Sequence, residues 1–190
     1  MARPREFEVD DALYDAMIVF WDKGYDGASL PDLIEGMGIA RGSLYKAFGD
    51  KKKLFLQTLA LYDRDQLQPA LELLRTEPKP GATPPIKQLF NGILKSARRG
   101  DRRGCLLCNT AAGPAAEDEE IGAVVSGMLH RLTRAFGHAL RAESALRPSH
   151  VSQIARNAQA LTTAYVGLRV LVRSGASMTS LEMAVAGLID

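Results

Sequence analysis

Two cysteines three residues apart, Cys105 and Cys108, follow a run of arginines (Arg98, Arg99, Arg102, Arg103) in the segment ARRGDRRGCLLCNTAAG, residues 97–113. The thiolate is the nucleophilic form of cysteine, and a nearby cation or a helix N-terminus stabilises it. Residues 104–112 read as a short helix closed by Gly113-Pro114, which puts Cys105 in its first turn. In one reading Cys105 is a sensor thiol for an oxidant or electrophile, with Cys108, one turn on, as its resolving partner. In another, the two are small apolar residues on a packed helix. In a third, the chain is a small helical thiol oxidoreductase using both, although the C-x-x-C lacks the βαβ setting of thioredoxin-like catalysts. His130, His138 and His150 are scattered along the chain, and two cysteines alone do not make a zinc site. No metal and no cofactor are therefore expected.

A second stretch carries recognition chemistry rather than reactivity: SLPDLIEGMGIARGSLYKAFGDKKK, residues 29–53. Ser29, with Asp32 three residues on, is a capping-box start to a helix whose apolar stripe is Leu33, Ile34 and Met37. Gly38 can take the left-handed conformation that ends such a helix. A second short helix spans residues 41–48. It turns Leu44 and Phe48 inward and leaves Arg41, Ser43, Tyr45 and Lys46 on other faces. Ala40 supplies no side-chain cap, so this helix has room to start one or two residues late, within Arg41-Gly42-Ser43. Helix, tight turn and polar second helix form a helix-turn-helix, whose second helix enters the major groove of DNA. Arg41 and Lys46 are the candidate base readers, because both side chains can pair with guanine. Gly42 lets the backbone approach, and Ser29 can cap its helix and touch phosphate. Lys52 and Lys53 read as a solvated face.

The order Gly38-Ile39-Ala40, then Leu44-Tyr45-Lys46-Ala47-Phe48, then Lys51 resembles the DNA-binding unit of the tetracycline-repressor (TetR) family of bacterial regulators. The match covers roughly the first sixty residues. Many members carry His where this chain has Ala47, and Ser or Thr where it has Ala40. The resemblance implies that Tyr45 and Lys51 anchor phosphates. It implies a ligand-responsive helical body whose last two long helices, here about 149–174 and 178–189, form a four-helix bundle in a homodimer. Small residues on the first of these (Ala155, Ala158, Ala160, Ala164, Gly167) would permit close approach. It also places the short helix of Cys105 between the effector pocket and the DNA-binding unit.

Helices must position all of this. The first, over 9–23, puts Leu13, Ala16, Met17, Phe20 and Trp21 on one face and is stopped by Gly24, while Asp10, Asp11, Asp15 and Asp22 face water. Arg3 and Arg5, ahead of it, read either as a frayed terminus or as a basic arm to the minor groove. A long helix capped by Asp50 runs to a kink or break at Pro69. The proline-rich stretch TEPKPGATPP, residues 76–85, is a linker. Helices follow over 86–98, 119–142 and 149–173, and a last one with Thr179 and Glu182 as capping box ends near residue 189.

The chain is thus all-α. A three-helix DNA-binding domain over residues 1–50 precedes a helical effector-binding and dimerisation domain over 51–190. The candidate effector contacts are Phe90, Cys105, Cys108, Asn109, Met128, Phe136, Tyr165 and Arg169; Arg169 needs an anionic partner if buried. With 190 residues, 46% of them hydrophobic, the chain can bury a full core. A net charge of +2 leaves recognition to the placement of charge. The charged opening MARPREFEVDD has no apolar signal core, no run reaches the ~18 apolar residues of a membrane span, and the sparse cysteines suit a reducing cytoplasm. The expected function is a ligand- or redox-responsive transcriptional regulator, a repressor and not an enzyme. Its partners are a near-palindromic double-stranded operator, a second copy of the chain, and a small-molecule or electrophile effector.

Overall fold

In the computed structural model, residues 8–79, 81–144 and 151–189 are described, and among them there are helices and loops but no strand. Arg3, Arg5 and His150 lie outside the described residues. Helix α1 (Val9–Gly27) buries Ala12, Ala16, Met17, Phe20 and Trp21 and keeps Asp10, Asp11, Asp15 and Asp22 exposed. Gly24, at φ 75°, interrupts its helical geometry. Helix α2 (Leu30–Met37) opens on a complete capping box. Ser29 Oγ accepts from the Asp32 amide at 3.2 Å, and Asp32 Oδ2 accepts from the Ser29 amide at 2.8 Å. Gly38, at φ 61°, closes it in the left-handed region, so the chain turns within three residues into α3 (Arg41–Phe48). Ser29→Ala should cost about 1 kcal/mol of stability, read as a lowered urea midpoint at unchanged slope.

Helix α4 (Lys51–Tyr62), capped by Asp50 through the Lys53 amide, packs along α1 with Phe55 edge-on to Phe20 at 4.8 Å. The break expected at Pro69 comes earlier, as a π turn over Asp63–Leu67, and Pro69 sits in the first turn of α5 (Gln68–Arg75). The widened turn relieves the clash and lost hydrogen bond that proline brings to a regular helix, while the first turn of α5 tolerates it. After α5 come α6 (Pro85–Arg98), α7 (Leu106–Ala111), a 3-10 turn (Pro114–Glu117), α8 (Glu119–Ser144), α9 (Val151–Arg173) and α10 (Met178–Ile189). Long α8 and α9 lie side by side, and α10 returns across α6 and α9. One continuous core joins all of these, with Phe20, Phe55, Phe90 and Phe136 fully buried.

Two local expectations are corrected. Thr179 and Glu182 do not cap α10. Ser177 does, accepting from the Ser180 amide at 3.2 Å, and Glu182 pairs with Arg98 at 2.7 Å. Ala158 does not lie on an outer face of α9. It is buried inside the chain, towards Gly137 of α8. Ala155, Ala160 and Gly167 are exposed, and Ala164 is half-buried.

Candidate nucleic-acid interface and buried thiol cavity

Because Leu44 and Phe48 are buried, the opposite face of α3 is free, and it presents Arg41, Gly42, Tyr45, Lys46 and Ala47 to solvent. The helix begins at Arg41 with uncapped Ala40 as its N-cap, so the late start that Ala40 left room for does not occur. The Arg41 guanidinium lies 5.8 Å from the Tyr45 ring centroid, one turn along. Ser43 is half-buried on the flank. At the start of α4 the Lys51 ammonium stands 4.6 Å from the Tyr25 ring centroid. Ser29 is exposed, with its hydroxyl engaged in the cap. The face is thus cationic and aromatic, fixed from behind by two apolar anchors.

Several cations tie this unit to the body. Lys52 is not a solvated lysine: it bridges Asp118 at 2.8 Å and Glu120 at 3.2 Å, at the start of α8. Lys53 is exposed, 3.8 Å from Asp50. From the end of α9, Arg173 donates to the backbone carbonyls of Trp21, at 3.1 Å, and Asp22, at 2.9 Å. The same guanidinium donates to the Arg103 carbonyl at 3.1 Å, and Arg103 stacks over the Trp21 ring at 4.5 Å. The turn of α1 just before Gly24 is therefore gripped by the body next to Cys105.

Cys105 is the N-cap of α7 rather than a residue of its first turn. It opens onto an enclosed cavity of about 110 Å³, walled among others by Trp21, Tyr62, Gln66, Tyr165 and Arg169. The Tyr62 hydroxyl donates to the Cys105 sulfur at 3.1 Å. Arg169 donates to the Tyr165 hydroxyl at 3.2 Å and to the Gly104 carbonyl at 3.3 Å. Cys108, fully buried, turns its thiol to the Cys105 sulfur from behind. Burial alone would push the Cys105 thiol up. The hydrogen bond from Cys108, the Arg169 charge and the Tyr62 hydroxyl outweigh it and hold the thiol at about 6, whereas Cys108 is raised by its bond to Cys105 and by burial.

A thiol held below its ordinary 9.0 contributes stability that is complete above that value and is lost as pH falls through about 6. The ultraviolet absorbance of the thiolate should accordingly titrate near pH 6 in the wild type and be missing in Cys105→Ala. A midpoint near that of free cysteine would show that Arg169 and Tyr62 do not hold the anion.

The charge beside Cys105 thus comes from Arg169 and not from the arginines that precede the thiol in sequence. Arg98 pairs with Glu182, Arg102 donates to the Ala176 carbonyl at 2.9 Å, Arg103 pairs with Asp101 at 3.0 Å, and Arg99 is exposed. Among the candidate effector contacts, Cys105, Tyr165 and Arg169 share the cavity. Phe90 and Phe136 fill the core, stacked at 6.2 Å, and Asn109 is occupied with the Arg103 carbonyl at 2.9 Å. Met128 faces a separate open groove of about 890 Å³ between α4 and α8. Tyr62 and Gln66 were missed, because in sequence Tyr62 looks like one more apolar position of α4. Trp21, read as core, is core with one edge on the cavity.

A helix-turn-helix with a free cationic second helix, mounted on an all-helical body, defines a DNA-binding regulator. Residues 13–58 match the family model described as bacterial regulatory proteins, tetR family. The chain is 32% identical over 142 residues to the uncharacterized HTH-type transcriptional regulator YezE of Bacillus subtilis (strain 168), covering 74% of this chain and 72% of that protein. It is 28% identical over 190 residues to the HTH-type transcriptional repressor ComR of Escherichia coli (strain K12), covering 97% and 88%. A cysteine mutant of the TetR family transcriptional regulator CifR, complexed with 26bp double-strand operator DNA, superposes with a TM-score of 0.86 at 30% identity over 98% of both chains. The chain belongs to the TetR family: it is a helix-turn-helix DNA-binding transcriptional regulator, and the thiol oxidoreductase reading is set aside. Among the described residues, no helix is long and apolar enough to cross a membrane.

Proposed function

We propose that the protein is a homodimeric repressor that holds a near-palindromic operator and releases it when Cys105 is modified or an effector enters the body. The observation that carries this reading is the position of Cys105. Its cavity is walled both by body helices and by Trp21 and Tyr62, from two helices that pack together beneath the recognition helix. A change of bulk or charge there acts directly on α1 and α4, provided the two conformers differ in free energy for the modified thiol. The Arg173 grip on α1 and the Lys52 bridge to α8 extend the same coupling. Residues 1–50 form the DNA-binding part and 51–190 the effector and dimerisation part, with DNA as target placing the protein in the cytoplasm. For dimerisation the support is an exposed apolar stripe on α9 and α10: Val170, Leu171, Met183 and Leu188. Relatives named as repressors, ComR among them, support the sign of regulation.

Operator selection from random duplexes tests the reading. It should return an inverted repeat with half-sites roughly 34–36 Å apart, or a multiple of that distance. Within the face, Tyr45 and Lys51 act as phosphate anchors, joined by Ser29; Arg41 and Lys46 read bases, with Gly42 and Ser43 allowing approach. Lys51→Ala should weaken binding to every duplex alike and flatten the salt slope by about one unit. Arg41→Ala or Lys46→Ala should instead relax discrimination by about 1–3 kcal/mol. Equal losses on operator and random DNA for both kinds of variant would remove Arg41 and Lys46 as readers.

A further inference from the structure

Two buried donors in the described structure have no acceptor: Trp21 Nε1 and Arg169 Nε. Both belong to residues that line the Cys105 cavity. Trp21 is only 7% exposed, and Arg169, although part of the residue meets solvent, has its Nε sealed from it. A buried N–H without an acceptor is costly, so the pair marks a place where oxygen atoms are expected. The size is limiting. At about 110 Å³ the cavity is smaller than the roughly 150 Å³ that accepts a benzene ring, so it holds a solute of only a few heavy atoms. An electrophile of more than a few heavy atoms would overfill it. A molecule of two oxygens fits the volume and carries an acceptor for each donor. Behind the sulfur, Cys108 is already in hydrogen-bond contact, so an oxidised Cys105 has a thiol to react with.

Resting on the reading of Cys105 as the sensor, we propose that the cavity receives a small hydroperoxide of the size of hydrogen peroxide, and that its reaction ends in a Cys105–Cys108 disulfide. The Cys105 thiolate attacks one peroxide oxygen. An S–O bond forms, the O–O bond breaks, and hydroxide leaves, taking a proton from solvent to become water. The sulfur gives up two electrons to the peroxide and becomes a sulfenic acid. Cys108, losing its proton, then attacks that sulfur. The S–S bond forms, the S–O bond breaks, and the second hydroxide leaves as water with the Cys108 proton. Trp21 Nε1 and Arg169 Nε hold the oxygens through the first step. Because Trp21 lies in α1, the ligand and its product are felt by the DNA-binding unit.

The test uses the full-length reduced protein and hydrogen peroxide. Intact mass should fall by two hydrogens, and peptide mapping should join Cys105 to Cys108. Cys108→Ser should stop at a sulfenic acid trapped by dimedone. Trp21→Phe, which keeps an aromatic ring and removes the donor, should slow the peroxide reaction by roughly tenfold, the equivalent of one hydrogen bond, with the thiolate titration unmoved; Arg169→Lys should slow it as well. Peroxide rates equal to those of free cysteine, or a Trp21→Phe protein as fast as wild type, overturn the proposal. If N-ethylmaleimide modifies Cys105 and releases operator while peroxide does neither, the sensor reading stands and the peroxide inference falls. If neither reagent modifies Cys105 in the native protein, both fall.

Discussion

Gly167→Glu should leave the protein folded, make it a monomer, and lower operator affinity by roughly 10²–10⁴-fold, the advantage that a tethered second half-site confers. Gly167 is exposed on α9, and a side chain added there meets nothing within 4 Å in its own chain. Replacing a mid-helix glycine should even favour the isolated helix by about 0.5–1 kcal/mol. Any loss must therefore come from outside the chain. Along α9, Ala160, Thr163, Gly167, Val170 and Leu171 recur at three- and four-residue steps on the exposed side, and Met183, 65% exposed, continues the stripe on α10. Small residues flanked by apolar ones allow two helix pairs to approach closely around a two-fold axis, where each copy meets the same patch of the other. A glutamate at the centre would bury a charge against its own symmetry mate. Met183→Glu should act in the same direction. Ala158→Glu is the contrasting case, since Ala158 is interior and the charge would disrupt the subunit itself. Sedimentation gives the mass and thermal melting the fold. A Gly167→Glu protein that stays dimeric, or a monomer with wild-type operator affinity, removes this surface from the interface.

What the sequence discloses depends on how far apart the interacting residues lie. The two helices of the helix-turn-helix, α2 and α3, were legible because their determinants are local. Ser29 and Asp32 close a box over three residues, Gly38 turns the chain, and Leu44 and Phe48 share a face one turn apart. Residues competing over a short range blurred the boundaries. Ser177 and Thr179 are both plausible caps for α10; Ser177 takes the Ser180 amide, and Glu182 pairs with Arg98 instead of closing a box with Thr179. Pro69 announced a disturbance, but the chain absorbed it one turn upstream. The surroundings of Cys105 were the least legible. The arginines next to it in sequence found other partners, while its hydroxyl donor and its counter-charge arrive from Tyr62 on α4 and Arg169 on α9. Periodicity marks such residues as inward-facing without saying which of them meet.

Arg169→Leu should cost about 3–5 kcal/mol of stability at alkaline pH, the usual penalty for removing one partner of a buried charged cluster, and distinctly less at acid pH. In the wild type Arg169 answers the Tyr165 hydroxyl and the Gly104 carbonyl, and its charge favours the Cys105 thiolate. The wild type therefore gains stability as pH rises from about 6 to the ordinary thiol value of 9.0. Without the cation, burial is opposed only by Cys108 and Tyr62, and the thiol moves up. The variant therefore gains less than the wild type over that interval. The gap between the two proteins should open from about pH 6. In a Cys105→Ala background the same Arg169→Leu change should cost a smaller and nearly constant amount, because only the bonds to Tyr165 and Gly104 are lost. Urea denaturation of the four proteins across this range closes the cycle, and the coupling term between positions 105 and 169 is the quantity of interest. A coupling that does not vary with pH would make Arg169 a packing residue and leave the acidity of Cys105 to Tyr62 and Cys108.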